Sequence, residues 1–331
     1  MPKSVLFLGG SGQAGSDTAA LLRRWHPDLP FTIAGRDLDR ARRVADRLGH
    51  ADAVTVDLTR PDLGLGERAH SAVVATVWDS HLHGLGYAQD HGLPYLSISS
   101  GLVDTAPELV AGAHRGNPTP VLIASHYLAG LAVLVTLHAA RAFDRVDSIR
   151  IGAVLDELDS GGPAGLADLE RWAAAGTAGL ERRDGVFTWI PDSPTEIHLD
   201  GVVFAAQTVG ILDVPSLALA TGAPNVRFDL AVGESPGRRA GGRPSTHLRI
   251  DLSGTDPAGR PGSSTHHLTH HDGQRPLTAL GVALGVERML TLRGTALPGG
   301  PHTPEALHDP EYAIERLAGL GAGFGPAEFS R

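Results

Sequence analysis

The sequence predicts an α/β protein: a doubly wound parallel sheet with an inserted α+β domain carrying a mixed or antiparallel sheet. Three observations predict it. Between Lys3 and Trp25 an apolar run of strand length ends in a glycine turn that opens a helix. Strand-length apolar runs then alternate with helix-length segments up to residue 124, the pattern of βα units with right-handed crossovers. Beyond Phe143 the pattern changes to short runs broken by glycine and proline, as in an antiparallel sheet.

The first unit rests on its glycines. Gly10-Ser11-Gly12-Gln13-Ala14-Gly15 has the spacing G-x-G-x-x-G, with a strand before it and a helix after. The first glycine permits a tight turn, the second lets main chain approach a pyrophosphate, and the third lets helix pack on strand. The phosphates would rest on the helix N-terminus, where free N–H groups and the dipole favour negative charge. Residues 31–36 predict the second strand, and Arg36 stands about 20 residues beyond the turn, where such folds read the adenosine ribose. An acidic side chain there hydrogen-bonds a free 2′-hydroxyl, and an arginine matches a 2′-phosphate. Arg36 followed by Asp37 favours NADP(H), with NAD(H) as the alternative, and Arg40 is a second cation one turn on. Asp37 also suits a helix cap beside a solvated Arg36.

The remaining elements follow in order. A helix over 38–48 carries arginines on its outer face, and 53–57 supply a third strand. Its terminal Asp57 either approaches the adenine or caps the next turn. The near-continuous apolar run 72–77 reads as a strand buried on both faces. Its exit, Thr76 and Val77 followed by Trp78, Asp79 and Ser80, lies on the crevice side where ligands of open sheets bind. Helices over 81–91 and 105–114 lead to strands over 95–99 and 121–124, and 128–140 read as a buried helix too short to span a bilayer. Then come a strand over 148–155, a helix over 166–175, strands over 185–190, 201–204, 226–232 and 247–252, a mobile loop over 237–244, and a helix over 276–293. The expected organisation is dinucleotide binding over 1–125, a substrate domain over 126–275, to which the family resemblance given below adds dimerisation, and C-terminal helices over 276–331 returning to the first domain.

Composition narrows the function. The 331 residues are 42% hydrophobic and 20% charged, with a net charge of −9. That is an ordinary globular balance, and it argues against nucleic acid, whose phosphates need an excess of lysine and arginine. No signal peptide and no membrane-binding basic helix are expected. The absence of cysteine excludes disulfides and thiolate chemistry and fits a cytoplasmic protein. Lys3 is the sole lysine and opens the first strand, so acid–base work falls to His, Asp, Glu, Tyr or water.

The glycine turn, Ala34-Gly35-Arg36-Asp37, Leu93-Pro94-Tyr95-Leu96-Ser97, and the tail motifs Gly300-Pro301-His302-Thr303-Pro304-Glu305 and Asp309-Pro310-Glu311-Tyr312 together resemble the saccharopine dehydrogenase-like NAD(P)-dependent reductases. The resemblance covers the first domain and the C-terminal segment and is thin over 148–265. It implies a Rossmann domain with an inserted substrate domain, a homodimer formed through that insert, and work on carbon–nitrogen bonds. The substrate class implied is an imine made from an amino acid and a carbonyl compound, or the corresponding secondary amine. Homospermidine synthase-like relatives use a tightly held cofactor transiently, which gives a redox-neutral transferase or cyclase as the alternative. A dinucleotide-sensing protein without chemistry is the third reading. Where the family carries a Pro-Gly turn after the sixth strand, this chain has Ser125-His126-Tyr127-Leu128-Ala129-Gly130. Ser97 stands where an aspartate is common, which points away from saccharopine itself as the substrate.

Reduction of an imine needs the nicotinamide held against the carbon and a donor for the nitrogen. His126, of a type that titrates near neutrality, and Tyr127 follow the sixth strand as catalytic candidates; His126 also suits a helix cap. Tyr95 and Ser97 are candidates to touch substrate. Ser99, with Ser100 beside it, either holds the nicotinamide carboxamide or ends the strand. Asp156, Glu157 and Asp159 either hold an amine or form a solvated turn. Arg227, with Arg171 and Arg249 as alternatives, would clamp a carboxylate bidentately. His266-His267-Leu268-Thr269-His270-His271 has i, i+4 histidines but no acidic ligand at motif spacing, so it reads as a strand and no metal is expected. Trp78 and Trp189 are expected in the core.

Overall fold

Strand formation begins with five consecutive apolar or small residues, Ser4–Leu8, every one of them buried. The computed structural model describes residues 3–98, 101–102, 104–114, 119–159, 161–175, 178–191, 193–199 and 201–326. In chain order the first elements are β1 (Ser4–Leu8), α1 (Gln13–Trp25), β2 (Phe31–Gly35), α2 (Leu38–Leu48), β3 (Ala51–Thr55), β4 (His70–Ala75), α3 (His83–Asp90), β5 (Tyr95–Ser97), α4 (Thr105–His114) and β6 (Pro120–Ile123). A 3-10 turn (Tyr127–Gly130) precedes α5 (Leu131–Ala140), β7 (Arg145–Asp156), α6 (Gly162–Ala175), β8 (Gly179–Arg183), β9 (Val186–Ile190), β10 (Pro194–Leu199) and β11 (Val202–Thr208). The chain continues with α7 (Asp213–Thr221), β12 (Asn225–Gly233), α8 (Pro236–Arg239), β13 (Thr246–Thr255), β14 (Pro261–His270) and α9 (Arg275–Met289). It closes with β15 (Gly300–His302), α10 (Pro304–Leu307), α11 (Pro310–Ala318) and β16 (Gly323–Pro326).

Two compact units result. The first takes Met1–Ser125, Gly161–Asp168 and Thr278–Leu307. Its sheet runs β15-β6-β5-β4-β1-β2-β3, with every pairing parallel. Parallel strands are buried on both faces, which explains why β1, β2 and β6 are buried along their whole length. This is the doubly wound Rossmann arrangement that the glycine turn predicted. The strand order reverses between β1 and β4, and that is where such sheets bind ligands.

The second unit takes His126–Ser160, Leu169–Leu277 and His308–Arg331. Its sheet is mixed, in the order β10-β11-β12-β7-β13-β14-β16, with the hairpin β8–β9 attached to β12. One pairing, β12 with β7, is parallel; the others are antiparallel. The helix α5 is apolar apart from Thr136 and His138 and is mostly buried, as a core helix should be.

Several expectations need correction. The helix over 128–140 begins only at Leu131, because Leu128 and Ala129 take left-handed backbone (φ 54° in both) ahead of Gly130 at φ 90°. The helix over 81–91 starts at His83, after Leu82 at φ 53°. The segment 237–244 is pinned rather than loose. Gly237 N–H donates to Ser245 Oγ at 2.8 Å, and Arg238 holds Asp156 and Glu157 at 2.9 Å each. Trp78 and Trp189 are exposed, not core, since one sits in the loop after β4 and the other on a strand paired on a single side. The histidine run does fold as a strand, β14, with His266 stacked on Phe324.

Candidate functional site

The turn between β1 and α1 is built for close approach. Gly9 has φ +80°, a conformation that costs other residues strain, and a Cβ there would strike Val77 Cγ1. At Gly15 a Cβ would stand 2.7 Å from Gly9 O and 2.8 Å from Thr76 Oγ1, so α1 lies directly on the turn. Thr76 is tied in turn to β1, its N–H and Oγ1 both donating to Leu8 O at 2.9 and 3.0 Å. Ser11 reaches across to the end of β2, where a Cβ on Gly35 would meet its Oγ at 2.7 Å.

α1 starts without a cap. Gly12 is its N-cap residue, with no side chain to accept a hydrogen bond, and no acidic residue stands in the first turn. By contrast, Asp37 caps α2 and Asp309 caps α11. The first amides of an uncapped helix have no intrahelical acceptor, so Gln13, Ala14 and Gly15 leave donors at the positive end of the dipole. Ser11 through Ala14 remain partly accessible. An anion fits there, and a diphosphate matches the donor set.

Arg36 follows β2 directly and is exposed, with no hydrogen bond or ion pair to a described residue. Its neighbour Asp37 is occupied, accepting from Arg40 N–H at 2.9 Å. Asp57 lies beyond β3 and accepts from Thr59 N–H and Oγ1 at 2.9 and 2.7 Å. These bonds hold its carboxyl below the usual carboxylate range.

No family model matches the chain, and no curated protein matches it in sequence. Its likeness is to solved structures. Saccharopine dehydrogenase (L-Glu forming) from Saccharomyces cerevisiae matches with a TM-score of 0.68 over 98% of this chain and 100% of that one, at 14% identity. Homospermidine synthase from Legionella pneumophila, solved with NAD, gives 0.64 over 99% and 92%, at 10% identity. A myo-inositol dehydrogenase from Corynebacterium glutamicum gives 0.51 over 98% and 99%, at 13% identity. The chain has the saccharopine dehydrogenase-like fold.

The other candidates fall in both units. Tyr95 and Ser97 lie on β5, buried, and line a cavity of 180 Å³ together with Val77. Ser99 and Ser100 lie outside the described residues. His126 and Tyr127 open the second unit. His126 is buried, with Nε2 2.8 Å from Ser216 Oγ, and burial lowers its pKa to about 3. Burial and the nearby Asp159 and Asp213 raise the Tyr127 phenol pKa, and the Tyr127 backbone N–H donates to Asp213 Oδ2 at 2.9 Å. Arg227 is committed to the fully buried Asp229, which Arg150 also holds at 2.8 Å. Arg249 is likewise paired with Asp251. Asp159 accepts from Gln274 N–H at 2.6 Å.

Four positions of interest had no role assigned from the sequence, although Asp79 already stood among the residues at the crevice end of its strand. Gly9 adjoins the motif without belonging to it. Gly162, at the head of α6, would place a Cβ 3.2 Å from the Gln13 side-chain amide. Asp79 and Glu108 line the Tyr95 cavity, both buried. The paired glycines 161–162 and a carboxylate directly after an apolar strand were the available signals.

Proposed function

We propose that this chain is a nicotinamide-dependent oxidoreductase that prefers NADP(H) and acts on a carbon–nitrogen bond of an amino-acid-derived amine or imine. The observation that carries the reading is the bare glycine turn on an uncapped α1, at the point where the strand order reverses. The residues present fit a dinucleotide. Ser11 to Gly15 would take the diphosphate, and Arg36, unpaired and exposed after β2, would take the 2′-phosphate. When bound, the nicotinamide supplies or accepts the hydride; the chain's part is to orient it and to exclude water.

Acid–base work matches the operating pH only when the pKa lies near it. Burial removes both His126 and Tyr127 from that range. We therefore assign them to holding the loop after β6, through Ser216 and Asp213. The fold likeness to saccharopine dehydrogenase supports the carbon–nitrogen reading, and the likeness to a homospermidine synthase solved with NAD keeps a redox-neutral transferase as the second reading. A homodimer and a cytoplasmic location belong to the same proposal. The exposed Val186, Phe187 and Trp189 on β9 support the dimer. No helix among the described residues is long and apolar enough to cross a membrane.

The test is coenzyme affinity. Wild type should bind NADPH more tightly than NADH, and Arg36→Ala should lose that preference by about tenfold or more, a charge-assisted phosphate contact being worth about 1.5–3 kcal/mol. Equal affinities in wild type, or an unchanged ratio in the variant, would refute the 2′-phosphate assignment. Net absorbance change with amine substrates separates the oxidoreductase from the redox-neutral reading.

A further inference from the structure

Beside the glycine turn, the first unit contains a second polar space. The cavity of 180 Å³ is bounded by the stretch Val77–Leu82 after β4, by Tyr95 and Ser97 of β5, and by Asp104, Pro107 and Glu108 around the start of α4. Its polar lining is acidic. Asp79 is 5% exposed and Glu108 1%; His81 also lines the cavity, and among the described residues neither lysine nor arginine faces it.

Both carboxylates are held in place. Asp79 Oδ1 accepts from His83 N–H at 3.1 Å and Oδ2 from Gly84 N–H at 2.6 Å. The Tyr95 hydroxyl donates to Glu108 and is raised well above its ordinary value by burial and by the two carboxylates. A carboxylate has about four lone-pair positions, so Asp79 retains acceptor capacity beyond its two main-chain bonds. The third group is decisive. Ser97 is 4% exposed, lines the cavity, and its Oγ has no hydrogen-bond partner. A buried hydroxyl left unsatisfied costs about 1–3 kcal/mol. Burial also pushes the Asp79 carboxyl up, so the charged form of this lining gains from a ligand that brings hydrogen-bond donors and positive charge.

A primary ammonium group has three N–H donors and no acceptor. A divalent metal is the poorer match, because among the described residues no group of three or more histidine, aspartate or glutamate side chains is arranged to hold one. We infer that this cavity is a cation subsite, in which Asp79, Glu108 and the Ser97 hydroxyl receive the primary ammonium head of the substrate. The inference rests on the amine reading of the reaction and specifies it: the substrate carries an unsubstituted ammonium group small enough for 180 Å³. Ser97 is then a specificity residue, its hydroxyl oxygen accepting one ammonium N–H while the carboxylates accept the others.

The experiment is calorimetric titration of the full chain with n-propylammonium chloride, n-propanol and potassium chloride, each with and without NADPH. Saturable binding of propylammonium alone is expected. Ser97→Ala should weaken it roughly tenfold, the worth of a hydrogen bond to a charged group, and Glu108→Gln should abolish it. Because Glu108→Gln also disturbs Tyr95, its fold is checked by circular dichroism, and Ser97→Ala decides the matter should that variant unfold. Three results would overturn the subsite: no propylammonium binding by a chain that binds NADPH, equal binding of propanol or potassium, or unchanged affinity in Ser97→Ala. Amine binding without NADPH binding would leave the subsite standing and sink the nicotinamide reading.

Discussion

A methyl group at residue 9 tests the nucleotide turn most sharply. Gly9 combines φ +80° with a neighbour, Val77 Cγ1, that occupies the space a Cβ needs. Gly49 has φ +61° and nothing within 4 Å of a built Cβ. Both substitutions carry positive-φ strain of about 1–3 kcal/mol, but only the first moves the loop that faces the diphosphate. Gly9→Ala is expected to weaken NADPH binding at least tenfold, or about 1.4 kcal/mol, while Gly49→Ala lowers the melting temperature and leaves affinity intact. Isothermal titration of both variants checks this; equal NADPH affinities would show that the turn does not hold the coenzyme. The difference between the two glycines is invisible in sequence, because the obstacle at Gly9 comes from the loop after β4, 68 positions away, where Val77 closes over the turn.

At the scale of elements, legibility followed locality. The helices over 38–48 and 105–114 form with the expected bounds, since an Asp37 cap before α2 and Gly49 after it are local signals. β15 and β16 were not foreseen. The first is three residues that pair with β6 some 180 positions earlier, and the second, Gly-Phe-Gly-Pro, has no strand propensity of its own and exists because β14 offers an edge. The parallel pairing of β12 with β7 is equally non-local. The candidate site divided the same way: the glycine motif and Arg36 were legible as spacing, whereas the commitment of Arg227 to Asp229 and the burial of His126 arise only when strands and helices meet. Asp37 gives the element-scale prediction. Its carboxylate caps α2 through Arg40 N–H, so Asp37→Ala should cost about 1 kcal/mol of stability and leave the NADPH-to-NADH ratio unchanged. Arg36→Ala should do the reverse. Thermal melts paired with coenzyme titrations would show the dissociation, and a shifted coenzyme ratio in Asp37→Ala would return that residue to the ribose.

Across the whole molecule, each unit buries a neutral imidazole, and this sets its response to acid. In the first unit His70 Nδ1 lies 3.2 Å from Ser4 Oγ, which also meets Thr32 Oγ1 at 2.7 Å, linking β4, β1 and β2. Burial, then the charges of Arg68 and His91, lower its pKa to about 4. In the second unit burial alone lowers His126 to about 3. With the folded values depressed below the ordinary 6.5, the unfolded chain binds more protons than the folded one between about pH 6.5 and pH 4. Stability therefore rises with pH across that window, by up to about 1.4 kcal/mol per pH unit for each histidine, and is fully present above pH 7. Because the two groups sit in different units, acid should loosen both rather than peel one away. Denaturant melts at pH 7.5, 6.0 and 5.0, followed by Trp fluorescence and far-ultraviolet circular dichroism, should show falling midpoints in both signals, with a shallower slope for His126→Gln. A midpoint that holds steady from pH 7.5 to 5.0, or a His126→Gln slope equal to wild type, would mean that these rings are not buried neutral in solution.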